Sequence, residues 1–136
     1  MNACYLLRKY AVPVYYYPIR KYMELHVSDK SLRRALEGEA LERRYGTDMA
    51  KKLALRLAAL RAAKSLGDFW PPKSGPERCH ELRGNRKGAF SVDLKQPYRL
   101  LFRPIESEAP ADRSDELGRW QSITSIDIFA IEDTHE

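Results

Sequence analysis

The chain is poor in cysteine: Cys4 and Cys79 are the only two among 136 residues, and they have neither paired spacing nor a secretory context. A disulfide scaffold is excluded on that count, and free thiols in a reducing compartment are expected. Long apolar runs are also missing. Nowhere do 18 or more apolar residues follow one another, so no membrane-spanning helix is predicted. Arg8 and Lys9 interrupt the region where a secretory signal needs its apolar core, which makes a cytoplasmic location the expectation. Cys79 and His80 are adjacent, yet no further pair of ligands lies near them, so zinc is not expected; no metal or other cofactor is predicted. At 136 residues there is room for one core and one domain.

What the chain does have is positive charge. Lys and Arg total 24 against 19 Asp and Glu, a net charge of +5 with a pI near 9.3, which favours polyanions such as RNA or an acidic protein partner. The excess is concentrated. Between Arg78 and Arg103 lie Arg78, Arg83, Arg86, Lys87, Lys95, Arg99 and Arg103, opposed only by Glu81 and Asp93.

The same stretch has the pattern of a hairpin. Phe90, Val92 and Leu94 alternate with Ser91, Asp93 and Lys95, the period of two of a half-buried strand, and a polar face beside a basic loop is expected. After the Gln96-Pro97 turn, Tyr98, Leu100 and Phe102 alternate with Arg99, Leu101 and Arg103, so both arginines leave the second strand on one side. Before it stand His80 and the glycine-bracketed loop with Arg83, Arg86 and Lys87; Asp133 and His135 follow near the end of the chain. Two imidazoles, a carboxylate and fixed cations are the parts that metal-free cleavage of a phosphodiester requires.

Elsewhere, residues 1 to 22 hold six of the eight tyrosines with Pro13 and Pro18 and show no clean period, so no structure is assigned to them. Met23, Leu25 and Val27 alternate with Glu24 and His26 as a first strand, with His26 on its polar face. Ser28 or Asp29 is expected to cap a helix carrying Leu32, Leu36 and Ala40 and ending near Tyr45 with Gly46 as its stop. Thr47 is expected to cap a second helix with Ala50, Leu53, Ala54, Leu57 and Leu60 on one stripe. Its basic residues, Lys51, Lys52, Arg56 and Arg61, are read as a solvated face. Residues 68 to 76 hold three prolines and form a connector in which Phe69 and Trp70 plug the edge of the core. The acidic, proline-containing segment 105–121 is expected to be a mobile loop insertion. The last strand, from Ile123 to Ile131, is apolar enough to be central and covered on both sides. The result is an α+β fold of order β-α-α-β-β-β, a small antiparallel or mixed sheet with two helices on one face.

The segments HELRGNRKGAFSVDL, PYRLLF and IEDTH resemble the RelE/HigB-type toxins of type II toxin–antitoxin modules, in the branch called plasmid maintenance system killer proteins. The resemblance rests on a His-x-x-x-Gly-x-Arg-x-Gly loop, an aromatic-Arg strand and a Glu-Asp-x-His end, and it covers the chain from about Met23 to His135. It implies a RelE/ParE-like toxin domain over 23–136, and leaves residues 1–22 as an added arm or the product of an upstream start. It further implies a ribosome-dependent mRNA endonuclease working through the RNA's 2′-hydroxyl. The partners implied are the ribosome, mRNA and a neutralising helix-turn-helix antitoxin of HigA-like type, with DNA met only through that antitoxin.

Carried over by the resemblance, His80, Arg99, Asp133 and His135 are the catalytic candidates. Arg83, Arg86, Lys87, Lys95 and Arg103 are the candidates for binding RNA. Many relatives have Tyr where this chain has Thr134, which puts base stacking at that position in doubt. Competing roles are plain for each residue: His80 can cap its strand, and Arg99 can pair with Asp93 across the hairpin at about 0.2–1 kcal/mol. Two other functions compete. One is a non-enzymatic ParE-like inhibitor of DNA gyrase, and the other an inactive basic RNA-binding remnant of the fold.

Overall fold

A computed structural model describes residues 22–36, 39–105 and 115–133. The expectations for residues 1–21 and for His135 lie outside them. Besides two short 3-10 turns, at Leu66–Phe69 and Gly84–Arg86, the described residues form nine helices and strands. They are β1 (Glu24–His26), α1 (Lys30–Leu36), α2 (Ala40–Tyr45), α3 (Thr47–Ala62), β2 (His80–Glu81), β3 (Phe90–Asp93), β4 (Tyr98–Pro104), α4 (Glu116–Ser122) and β5 (Ser125–Asp133). The strands form one mixed sheet in the order β1-β5-β4-β3-β2, with β1 parallel to β5 and the other pairs antiparallel. The α+β class expected from the pattern is the one observed.

Local chemistry explains the helix ends. Asp29 Oδ1 accepts the amide of Leu32 at 2.8 Å, closing the first turn of α1 as an N-cap should. The one helix expected as far as Tyr45 is described as two, α1 and α2. Gly46, at φ 89°, donates its amide to Glu42 O and stops α2. Thr47 is the first residue of α3 and not its cap; that place belongs to Gly46, with no side-chain hydrogen bond.

The stripe on α3 packs as its spacing demands, with Ala50, Leu53, Ala54, Leu57 and Leu60 at 0 % exposure. They meet Phe90, Val92, Leu100, Phe102, Ile126 and Ile128 from one face of the sheet. Arg56 departs from the expected solvated face. It is buried, donating from Nε to Asp93 O at 2.6 Å and from its terminal amino group to Pro76 O at 3.0 Å. A helix cation is thus consumed in satisfying backbone carbonyls where the connector meets β3.

Segment 105–121 is also corrected over its second half. Asp115 accepts the amide of Gly118 and caps α4, and Trp120 is fully buried. Its indole sits edge-on to Phe90 at 5.3 Å and to Trp70 at 5.2 Å, so Trp70 reaches the core through it. Composition made this segment read as a loop, whereas a single large aromatic is enough to dock a two-turn helix. Residues 106–114 of the expected insertion lie outside the described ones.

β5 has strands on both sides, but β4 is the centre of the sheet, and β5 buries only Ile126 and Ile128 completely. The expectation of full cover on both faces is therefore corrected. No helix among the described residues is long and apolar enough to cross a membrane.

Trp120→Ala should cost about 3–5 kcal/mol, as large-to-small changes in a core do. Urea unfolding followed by circular dichroism checks this; a loss under about 1 kcal/mol would show that α4 is not part of the main core.

Candidate active site

Directly opposed residues in an antiparallel sheet share a face, and the register sorts the candidates. His80 faces Ser91, which faces Leu101, which faces Ala130; one step further along, Asp93 faces Arg99, which faces Glu132. All of these leave the sheet on the side opposite the helices. Tyr98 faces Asp133, and Tyr98 packs against the main core and edge-on to Tyr45 at 5.3 Å. The expected grouping of Asp133 with Arg99 is therefore corrected. Strand alternation puts Asp133 on the helix side and Glu132 in its place beside Arg99.

The second face is not the open polar surface expected. Ser91 is fully buried and Asp93 is nearly so, while Leu82, Ala89 and Leu101 form a small buried cluster flanked by Phe129 and Ala130. The glycine loop supplies the cover: Ala89 sits in the cluster, and the guanidinium of Arg86 is ion-paired with Glu132. Around this cluster runs a rim of charge. Arg103 lies over the Phe129 ring at 4.0 Å, and Lys95 turns to Asp48 of α3 at 3.7 Å, away from Arg99.

Asp93 is the hub of the rim. Its Oδ1 is 3.3 Å from Arg99 Nε and its Oδ2 is 3.4 Å from Arg78 Nε, and the Asp93 side chain is only 8 % exposed. Arg99 is 14 % exposed, Arg78 51 %. An isolated carboxylate at this depth would be strongly disfavoured, so it holds both guanidinium groups in place. The cross-hairpin pairing foreseen as a competing role for Arg99 is thus present. It also orients the side chain: with Nε turned to Asp93, the two terminal amino groups make the other edge of the fork, the edge that matches a phosphate.

Arg78 places His80. Its backbone is in the left-handed region at φ 48°, unusual for a residue with a Cβ, and its carbonyl lies 2.9 Å from His80 Nδ1. A carbonyl only accepts, so Nδ1 carries the proton, and the other ring nitrogen, Nε2, is buried. Next to it Cys79 is wholly buried, and burial, with the Glu77 carboxylate adding to it, pushes the thiol far above its ordinary range. Such a thiol is a packing residue and no nucleophile.

The edge of β2 opens into a cleft of about 710 Å³, walled by Pro72 and Lys73 of the connector and by Arg83, Gly84 and Lys87 of the glycine loop. His80, Glu81, Leu82 and Glu116 complete its lining. Among the described residues no group of three His, Cys, Asp or Glu is placed to hold a metal ion.

The structure therefore brings His80, Arg86, Arg99 and Arg103 to one face, puts Arg83 and Lys87 in the adjoining cleft, and leaves Asp133 and Lys95 apart from them. Arg56, Arg78, Lys73 and Glu132 were not singled out from the sequence. Alternation says only that Glu132 and Asp133 take opposite faces, and the β4–β5 register decides which lies beside Arg99; the other three depend on loop packing that has no periodic signal.

No family model matches the chain, and no curated protein sequence matches it. Among solved structures the chain is similar to the YoeB/ParE toxin from Agrobacterium tumefaciens, with 13% identity over 83% of this chain and 100% of that one, and a TM-score of 0.49.

Asp93→Ala should destabilise the protein by about 3–5 kcal/mol, the range for breaking a buried charge pair. In double-mutant cycles Asp93 should couple more strongly to Arg99 than to the half-exposed Arg78, whose pair is expected to contribute at most about 1 kcal/mol. Equal coupling to both arginines would remove Asp93–Arg99 as the buried member.

Proposed function

We propose that this chain is the toxin of a toxin–antitoxin module and acts as a ribosome-dependent mRNA endonuclease that halts translation until a helix-turn-helix antitoxin neutralises it. The observation that carries the reading is that His80 and Arg99 leave the same face of the sheet. They stand two strands and two residues apart, about 12 Å between backbones from ordinary strand spacings. An imidazole and an arginine fork at that separation can close on one ribose–phosphate link. The sequence motifs around His80 and Arg99 support it independently.

The reaction follows from what RNA brings with it. The 2′-oxygen attacks the adjacent phosphorus as its proton passes to a base, a bond to the 5′-oxygen breaks, and that oxygen takes a proton as it leaves. The products are a 2′,3′-cyclic phosphate and a 5′-hydroxyl. His80 Nε2 is suited to one of the two proton transfers, because Nδ1 is committed to the Arg78 carbonyl. Arg99, braced by Asp93, is suited to the charge that gathers on the non-bridging oxygens. His135 is proposed for the other proton transfer. With Asp133 across from Tyr98, the acidic residue of β5 opposite Arg99 is Glu132, and its partner Arg86 would help to hold the RNA backbone. Few groups here can read a base, which suits an enzyme whose substrate is presented by the ribosome.

One observation favours a second reading. His80 is only 6 % exposed and Arg99 is drawn to Asp93, as two structural residues would be in a toxin that binds without cutting, such as a gyrase inhibitor.

A translation reaction with primer extension on the message separates the two. His80→Ala should lower cleavage by roughly 10²–10⁴-fold, with growth inhibition lost and antitoxin binding kept. Arg99→Lys, which retains a cation for Asp93, should also lose cleavage, since a point charge cannot replace the fork. Intact transcripts with loss of DNA supercoiling in the wild type would reject the nuclease.

A further inference from the structure

The cleft beside β2 holds cations that the proposed chemistry does not use. Two loops contribute cations to its lining: Lys73 comes from the connector, and Lys87 and Arg83 come from the glycine loop. Two carboxylates face them, Glu81 and Glu116. Glu81 is spoken for on both oxygens, one ion-paired with Arg119 of α4 and the other accepting the Gly88 amide at 3.0 Å. Neither Lys73 nor Lys87 has a carboxylate within ion-pairing distance among the described residues. The cleft is therefore left with a surplus of positive charge inside a concave wall, where field lines concentrate.

Lys73 is held in this position at a conformational cost. Its φ is 63°, in the left-handed region that side chains with a Cβ avoid. Its amide is tied to the carbonyl of Cys79 at 2.9 Å, one residue before His80. The connector's lysine and the candidate imidazole are thus tied to each other through one backbone hydrogen bond, and His80 lines the same cleft. Among the described residues no Phe, Tyr or Trp lines it, so what it offers is mainly charge.

We infer that this cleft is a second anion subsite, separate from the one formed by Arg99, that takes a phosphodiester of the RNA strand outside the bond being cut, with Lys73 and Lys87 as its cations. The nucleic-acid class of the occupant rests on the nuclease reading. A phosphate chain is favoured over an acidic peptide because Lys73 and Lys87 line the same cleft as His80, where a strand continuing from a scissile link would pass. Contacts of this kind set the register of the strand and carry no sequence preference.

The test is fluorescence anisotropy with a labelled, uncleavable 2′-O-methyl RNA oligonucleotide, titrated at several salt concentrations against the wild type and the Lys73→Gln, Lys87→Gln and double variants. Each lysine that contacts a phosphate should contribute about 0.7 to the slope of log affinity on log salt, so the double variant should lose roughly 1.4. An unchanged slope would overturn the subsite. So would a short poly-glutamate peptide that binds the wild type more tightly than the RNA and loses that binding in the double variant, since the cleft would then be a peptide site. Because the oligonucleotide cannot be cut, the two proposals fail separately. Lysine-dependent binding by a protein that cleaves no message keeps the subsite and removes the nuclease, whereas cleavage with an unchanged slope removes the subsite alone.

Discussion

The candidate site depends on one buried carboxylate. Asp93 ends β3 inside the protein, where a lone negative charge is untenable, and three arginines answer it: Arg99 and Arg78 at its two oxygens, Arg56 at its backbone carbonyl. Each arginine comes from a different part of the chain. The cluster therefore ties β4, the connector and α3 to the end of a single strand, and through the Arg78 carbonyl it also sets His80. A network of this kind confers order more than net stability, since an apolar set of the same volume is often at least as stable. What it supplies is two functional groups held in fixed orientation.

That arrangement accounts for the unequal faces of the sheet. The helix side carries the main core, with α3 and Trp120 packed on it. The other side has only the cluster around Leu82, Ala89 and Leu101, too small to stabilise much, but sufficient to exclude water beneath the charged rim. Charges above a dry floor act more strongly than they would on a wet one. The glycine loop forms the lid of that floor and at the same time one wall of the neighbouring cleft.

The connector matters for the same reason. Among the described residues the two non-glycine positions with positive φ are Lys73, within it, and Arg78, just after it, and both precede Cys79, whose wholly buried side chain anchors the segment. Strain of this sort persists only where surrounding contacts over-determine the backbone. Here those contacts are the Arg56 bond to Pro76 O, the Asp93 amide bond to Glu77 O and the Lys73 bond to Cys79 O.

Periodicity alone determined the α+β class, the α3 stripe and the β3–β4 hairpin, because spacings of two and 3.6 residues are local and survive whatever the chain packs against; the pairing of Asp93 with Arg99 was one of two roles open to that arginine. The sequence also concentrated the cations in one stretch. It could not tell that Ser91 and Asp93, which alternate as a wet face should, would be roofed by a loop, nor that Arg56 would turn inward from a helix whose other cations face solvent. Those outcomes rest on which distant segment covers which surface. Tertiary structure likewise decided that Glu132, not Asp133, shares a side with Arg99, because that parity is set by how β5 registers against β4. The physical reason is common to all three: a side chain's periodic position says which way it points, but only long-range contact decides what it meets there.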